Sequence, residues 1–472
     1  MNFILFPNQL FDVKYLPKTI DTIYLVEHEI FFGKRENQMN FNKLKLILHC
    51  ASIQCYREEL QKQGYKVQHV AFHEFSYKKL PQKNVHCFEL NDHLLEKKLQ
   101  KEIKGITYHP SPNFLLSMED LEEYHKKTKS HKLVQHQPFY TFVRNKIDVL
   151  KNSKTFDMEN RKKIPSGVSI PALPKISENK FVKNAIQYVN KHFPKNVGST
   201  KLLFPISRQE SKKWFRNFLE KRLKYFGEYQ DAIMENEDFL FHSVISPMLN
   251  IGLLSPSEVV SEISQYYEKN KSTVKINNYE GFIRQVVGWR EYQRYCYTFY
   301  YEEMTSGNIF NNQRKLTKKW YDGTLGIKPV DDAIQMAFQY GYLHHILRLM
   351  VMTNFMNLCE IEPRQVYQWF MEFSVDSYDW VMIQNVYSMG MWSDGGLTMR
   401  KPYISTDNYI LNMSNYSKKN DWGEIWKSLY YNFLQKHEKL LIKTPYGRNL
   451  VGWNKKSKKE KDEILSIGKK FL

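Results

Sequence analysis

Glu280-Gly281-Phe282-Ile283-Arg284-Gln285-Val286-Val287-Gly288-Trp289-Arg290-Glu291-Tyr292 sets two arginines, two glutamates and a glutamine among Trp, Phe and β-branched aliphatics. On a regular helix Arg284, Gly288 and Glu291 fall on adjoining turns of one face, and the two glycines allow close approach. A surface helix laced with ion pairs would carry the same charges. The interleaved Trp and Phe count against a wholly exposed face. The stretch therefore reads as a polar-lined helix inside a helical domain.

Its surroundings agree. From 205 to 440 the pattern is helical, with period-3.6 apolar spacing over 207–226 and a Ser-Pro start at 255–256. The run 329–359 is apolar and nearly free of breakers, which fits a buried helix pair or one central helix. Three more stretches here are dense in polar groups. In Phe241-His242-Ser243-Val244-Ile245-Ser246-Pro247, hydroxyls sit among aliphatics, where an unpaired one costs about 1–3 kcal/mol. Serines at a helix start suit a phosphate, or else they only cap the helix. In His344-His345-Ile346-Leu347-Arg348-Leu349-Met350, leading to Asn354, one imidazole can serve as acid or base while the other orients it, or both are structural. Adjacent helical residues point about 100° apart, so the two cannot chelate one metal. The richest stretch runs from Asp376-Ser377-Tyr378-Asp379-Trp380 through Met382, Asn385 and Gly390 to Asp394-Gly395-Gly396 and Lys401-Pro402-Tyr403. Acids, amides and aromatics at this density suit a heteroaromatic ligand with a polyol chain.

The first 110 residues alternate differently. Short β-branched and aromatic runs at 3–6, 22–27, 66–72, 85–90 and 106–109 read as strands, with a long amphipathic helix over 41–64. This order predicts a parallel, Rossmann-like sheet flanked by helices, with ligands outside the carboxyl ends of its strands. The loop Pro7-Asn8-Gln9-Leu10 and the segment after Glu27 lie at such ends. The expected fold class is thus an α/β N-terminal domain followed by a large all-α domain. The expected divisions are an α/β domain over 1–135, a connector over 136–204, a helical domain over 205–440 and a basic, solvated tail over 441–472.

Lys and Arg number 69 against 50 Asp and Glu, a formal charge of +19, which argues for a polyanionic partner such as nucleic acid. At 42% hydrophobic residues, the chain is neither disordered nor fibrous. The five cysteines, Cys50, Cys55, Cys87, Cys296 and Cys359, include no CxxC pair. That speaks against a disulfide framework or a zinc site, and for a cytosolic chain. No window approaches 18 apolar residues, so no membrane span is expected.

Taken together and in order, these stretches resemble the photolyase/cryptochrome superfamily, and most closely its photolyase-related group of bacterial (6-4) photolyases and prokaryotic cryptochromes. The resemblance begins at Asn8-Gln9-Leu10 and Glu27. It passes through Phe156-Asp157-Met158-Glu159-Asn160-Arg161, Gly227-Glu228-Tyr229-Gln230-Asp231 and the 281–292 run, and ends at Lys401-Pro402-Tyr403. It implies an antenna domain, a connector and a helical domain holding FAD. By match, Ser243, Val244, Ile245 and Ser246 would lie near the flavin phosphates. Arg284, Trp289 and Glu291 would line the pocket, and Arg348, Asn354, Asp376, Tyr378 and Asn385 would surround the ring and ribityl chain. His344, His345 and Tyr403 would face a pyrimidine lesion, with His345 the prime proton carrier. Asn8, Gln9 and Glu27 would border an antenna, commonly a ribityllumazine in this group. The implied activity is light-driven electron transfer from reduced FAD to a lesion flipped out of ultraviolet-damaged DNA, by a monomer in the cytosol. The alternative is a cryptochrome-like photoreceptor without repair.

Three departures stand out. The group binds an iron–sulfur cluster through four cysteines, but this chain has none after Cys359 and carries Tyr416-Ser417-Lys418-Lys419-Asn420 and Pro329 at the matching places. A cluster needs thiolates, so none is expected, and packing of Tyr416, Trp422, Trp426 and Tyr430 is expected instead. Met382 stands where relatives place a polar Glu or Asn beside the flavin's reactive nitrogen. On the electron path Trp369 is kept, but Phe370 replaces Tyr and Tyr321 stands where relatives often have Trp. A detour through Trp320 or Trp380 is the expectation.

Overall fold

A computed structural model of the chain describes residues 1–129, 133–151, 153–156, 160–176, 178–417 and 421–472. Asp157, Met158 and Glu159 of the family-like run, and Lys418, Lys419 and Asn420, lie outside the described residues.

Five parallel strands form the sheet among the described residues: β1 (Asn2–Leu5), β2 (Thr22–Val26), β3 (Val67–Val70), β4 (Val85–Phe88) and β5 (Thr107–His109), in the order β3-β2-β1-β4-β5. β2 to β5 each lie within an expected strand, and β1 overlaps the run expected at 3–6, starting one residue earlier. β1 is central, with Phe3, Ile4 and Leu5 fully buried, which is why that run is apolar without alternation. The helix Lys43–Lys62 starts where Asn42 Oδ1 accepts from the Leu44 N–H at 2.9 Å. It packs against the connector helix Lys180–His192.

Strand order reverses at β1, so the loop after it sits at the topological switch point. Here that loop docks onto the helical half. The Leu10 N–H donates to Ile251 O at 2.9 Å, and Arg208 Nη2 donates to Asp12 at 2.9 Å.

The rest is helical, including His136–Lys146, Arg208–Lys221, Leu223–Tyr229, Pro256–Lys269, Ile276–Ile283, Arg290–Ser306, Lys328–Tyr340, Pro363–Phe373 and Trp422–Lys436. The apolar run 329–359 is a helix pair. Gly341, at φ +62°, ends Lys328–Tyr340 in a left-handed turn.

The stretch 441–472 is not a solvated tail. It forms the helices Gly447–Asn454 and Lys458–Phe471, the second packed on Trp422–Lys436. Leu465 and Gly468 face inward while Lys458 and Lys459 stay exposed, so the run is one face of an amphipathic helix. No helix among the described residues is long and apolar enough to cross a membrane.

Candidate active site

Three π-helical turns, Arg284–Trp289, Leu347–Thr353 and Gln384–Gly390, converge on one cavity of about 260 Å³. Each turn widens its helix by one residue and so rotates everything after it by about 100° relative to a regular helix; such turns cluster at functional sites. Gly288 lets His136 pack close against the first, because a Cβ there would lie 2.9 Å from His136 Nε2.

Asp376 anchors one side of the cavity. Its carboxylate accepts from Arg348 Nη2 at 2.9 and 3.0 Å and from Ser246 Oγ at 2.6 Å. Arg290 forms another wall, donating to Asn250 Oδ1 at 2.5 Å and to Asn113 Oδ1 at 2.6 Å, with its guanidinium 4.7 Å from the Trp380 ring. Burial lowers Arg290 to about 10, so it stays charged. Asn385 Oδ1 accepts from Gln293 Nε2 at 2.8 Å, while Phe370 and Met382 are apolar lining. Ser243, Ile245 and Trp289 also line the space. An apolar slot bordered by a carboxylate, guanidinia and amides, with serines at one end, fits a flavin ring with a polyol chain and an anionic tail.

A second cavity of about 430 Å³ shares Gln285, Trp289, His345, Leu349 and Met389 with the first. Its other walls include Arg161, Asp231, Arg284, Lys401, Tyr403 and Tyr409. His345 is open to cavity solvent, yet the protein enclosing it and the Arg348 charge lower its pKa to about 4. Burial raises that of Tyr403.

The structure separates the two histidines. His344 is 1% exposed, stacks on His242 at 4.5 Å and faces a smaller cavity beside Asp332 and Tyr416. It does not reach the wall between the two larger cavities, because neighbouring helical residues diverge.

Five further expectations are corrected. Glu291 does not line the pocket: the π turn rotates it away from Arg284, and it accepts from the Leu115 and Leu116 N–H groups at 2.8 and 3.3 Å. Arg284 itself lines the second cavity, with its guanidinium 5.5 Å from the Tyr140 ring. Asn354 points away and holds Ser405, donating to its Oγ at 2.9 Å. Tyr378 turns toward the α/β layer, its Oη 2.7 Å from His49 Nε2. Val244 is buried at φ +55° and is not among the lining residues of the first cavity.

On the electron path Phe370 lines the first cavity, while Trp369 stacks on Phe373 at 4.6 Å and donates to Trp320 O at 3.0 Å. Tyr321 lies 5.7 Å from Phe373, and Trp380 packs on Phe114 at 4.9 Å. At the strand ends Gln9 Nε2 donates to Glu89 O at 3.1 Å. Glu27 accepts from His69 at 3.2 Å and the Phe72 N–H at 2.9 Å. Asn8 Oδ1 is buried without a partner. At the matching cluster positions Tyr416 Oη donates to Asp332 at 2.7 Å, and Trp422, Trp426 and Tyr430 are buried.

Sequence reasoning missed Arg290, Asn250, Gln293 and Tyr342. Arg290 lies within the quoted run, but a regular 3.6-residue period assigns the inner face to its neighbours.

Residues 3–204 match the family model of the deoxyribodipyrimidine photo-lyase-related protein, and residues 279–470 match that of the FAD binding domain of DNA photolyase. A (6-4) photolyase of Agrobacterium fabrum is 30% identical over 352 residues, covering 71% of this chain and 69% of that protein. A Synechocystis sp. PCC6803 cryptochrome superposes with a TM-score of 0.60 at 16% identity, over 98% of this chain and 93% of that one. A class III photolyase from Agrobacterium tumefaciens does so at 0.55 and 15% identity, over 93% and 91%. With this likeness over most of its length, the chain belongs to the photolyase/cryptochrome superfamily of FAD-binding flavoproteins.

Proposed function

We propose that the protein is a light-dependent DNA repair enzyme, a (6-4) photolyase acting as a monomer in the cytosol. The observation that carries this reading is the wall shared by the two cavities, where His345 and Trp289 border both. Bound in the first cavity in its reduced form, FAD would supply an electron on illumination. Asp376, Arg348 and Asn385 would hold its polyol and ring edge, and Ser243 and Ser246 would flank its phosphates. The second cavity would admit a flipped pyrimidine lesion, whose extrusion costs a few kcal/mol and least at damaged sites. Arg161, Arg284 and Lys401 would meet its phosphates, and Trp289 would give a stacking face. His345, neutral at rest, would carry the proton at its ring nitrogen, with the Tyr403 hydroxyl beside it. The relative described as a (6-4) photolyase supports that choice of lesion.

The donor set does not fit an iron–sulfur cluster, because no thiol stands near Pro329 or Ser417 in the sequence. We propose that the Tyr416–Asp332 hydrogen bond and the buried Trp422 and Trp426 hold that lobe instead. The unpartnered Asn8 Oδ1 supports an antenna ligand at the strand ends, a ribityllumazine by family likeness.

The test is illumination of reduced protein with oligonucleotides carrying either a (6-4) product or a cyclobutane dimer. Loss of the (6-4) product supports the reading, and persistence of both lesions overturns it. Met382 and Phe370, apolar on the cavity wall, favour a second reading, a cryptochrome-like photoreceptor. That reading predicts a light-dependent change of flavin spectrum without repair.

A further inference from the structure

Arg222, at the junction of helices Arg208–Lys221 and Leu223–Tyr229, is wholly buried. Its Nη2 makes one long contact to a neutral acceptor, Asn217 Oδ1 at 3.3 Å, and its Nε and Nη1 are sealed from solvent without partners. A guanidinium does not escape this by losing its proton. Burial brings Arg222 down only to about 10.

Other buried arginine side chains of the described residues have a carboxylate or a fuller set of acceptors, Arg144 lying 3.6 Å from Glu280. Arg35 pairs with Asp92 at 2.8 Å, Arg208 with Asp12 at 2.9 Å and Arg294 with Glu89 at 2.9 Å. Arg290 spends its N–H groups on Asn250 and Asn113. An uncompensated buried charge costs several kcal/mol, so Arg222 calls for an anion that the polypeptide does not supply.

Its position names the place. Phe226, one turn beyond Arg222 on the same helix, lines the flavin cavity at its Ser243–Ser246 end and meets the His242 ring edge-on at 6.0 Å, so Arg222 stands just behind this wall, on which Tyr342 also lies. Across the Tyr342 ring lies Arg348, 5.4 Å from its centroid, but that charge is taken by Asp376. His242 and His345 are held neutral, lowered to about 3 and about 4. The Arg222 charge is left with neither a carboxylate nor a full set of acceptors.

We infer that Arg222 is the electrostatic anchor of the anionic diphosphate of the bound dinucleotide, acting through the wall of Tyr342 and His242 rather than by touching it. It is a positioning residue, and the inference rests on the flavin reading above.

The experiment titrates apo-protein with FAD, with riboflavin, which lacks the phosphates, and with inorganic pyrophosphate. Flavin fluorescence and thermal shift are read for the native chain, Arg222→Met and Arg222→Lys. Arg222→Met is expected to weaken FAD roughly tenfold or more while riboflavin binding changes little, and Arg222→Lys, which keeps the charge, to restore most of the loss. Equal loss for FAD and riboflavin, as a merely structural role would give, overturns the inference, and so does no loss for FAD. Should Arg222→Met not fold, Arg222→Gln, which keeps a contact to Asn217 without the charge, carries the same comparison. A chain that rejects both flavins but gains thermal stability from pyrophosphate, and loses that gain in Arg222→Met, upholds the anion anchor and refutes the flavin. A native chain that responds to none of the three ligands overturns both.

Discussion

Phe370 stands between the first cavity and Trp369, lining the one and meeting the other edge-on at 5.0 Å. Phenylalanine has no accessible redox state, so an electron moving inward from Trp369 must cross this ring in one step. Phe370→Tyr is expected to speed blue-light reduction of the flavin severalfold, and Trp369→Phe to slow it. The decay of oxidised-flavin absorbance with an added thiol donor reads both. If Trp380→Phe slows the decay and Trp369→Phe does not, the electron enters past Arg290 instead.

His345 and His344 should respond differently to truncation. His345→Ala should lower the repair rate by about 10²–10⁴-fold, the range for a lost general acid or base, with flavin retained. His344→Ala should instead lower the melting temperature, since it empties a buried stack against His242 at a cost of about 2–5 kcal/mol, and leave repair by the folded protein intact. Single-turnover repair and thermal melts separate the two.

Acid should destabilise the fold well before carboxylates titrate. Burial lowers His28, His49 and His242 to about 3 each. The unfolded chain takes up these protons near pH 6.5 and the folded chain refuses them, so stability is full above that pH and falls as pH drops toward 3. At pH 5 the loss is on the order of 2 kcal/mol for each. Urea melts at pH 7 and pH 5 measure it, and His49→Gln should flatten the slope. An unchanged midpoint between the two pH values contradicts the assignment.

Asp376→Asn should cost flavin before it costs fold. It leaves Arg348 facing a neutral amide and weakens the Ser246 contact at the cavity edge. Truncating one partner of a buried pair costs about 3–5 kcal/mol. The expected result is colourless protein after gel filtration, with an unchanged far-ultraviolet dichroism spectrum.

Gly468 is where the C-terminal helix meets its neighbour. A Cβ there would lie 2.7 Å from Ser428 Oγ and 3.1 Å from the Leu429 nitrogen. Gly468→Val should release Lys458–Phe471, at a cost of about 1–3 kcal/mol, and expose it to trypsin. Mass spectrometry of the digest locates the cut.

Much of this was legible in the residues. The central strands β1 and β2 were visible as short apolar runs because burial on both faces removes polar alternation. Asp376, Arg348 and Asn385 stood out as polar groups in a largely apolar region and were assigned by the family likeness, which also placed Met382. Glu291 was misassigned, and Arg290 overlooked, because a period of 3.6 carries no sign of a π turn. Tyr378 was misassigned because its partner, His49, is 329 residues away and belongs to the other domain. The 441–472 run looked like a tail because its lysines outnumber the two buried positions, Leu465 and Gly468, that dock its last helix.

The three π turns make the length of the chain, and not only its composition, part of the site. Removing Val287, which does not line the cavity, would restore a regular helix and swing Arg290 about 100° out of the wall, with every lining side chain still present. Elsewhere in a helical protein such a deletion is absorbed by the next loop. Here helical register and cavity shape are the same variable, and a relative lacking one non-lining residue at any of these turns would keep the residues of the pocket while losing the pocket.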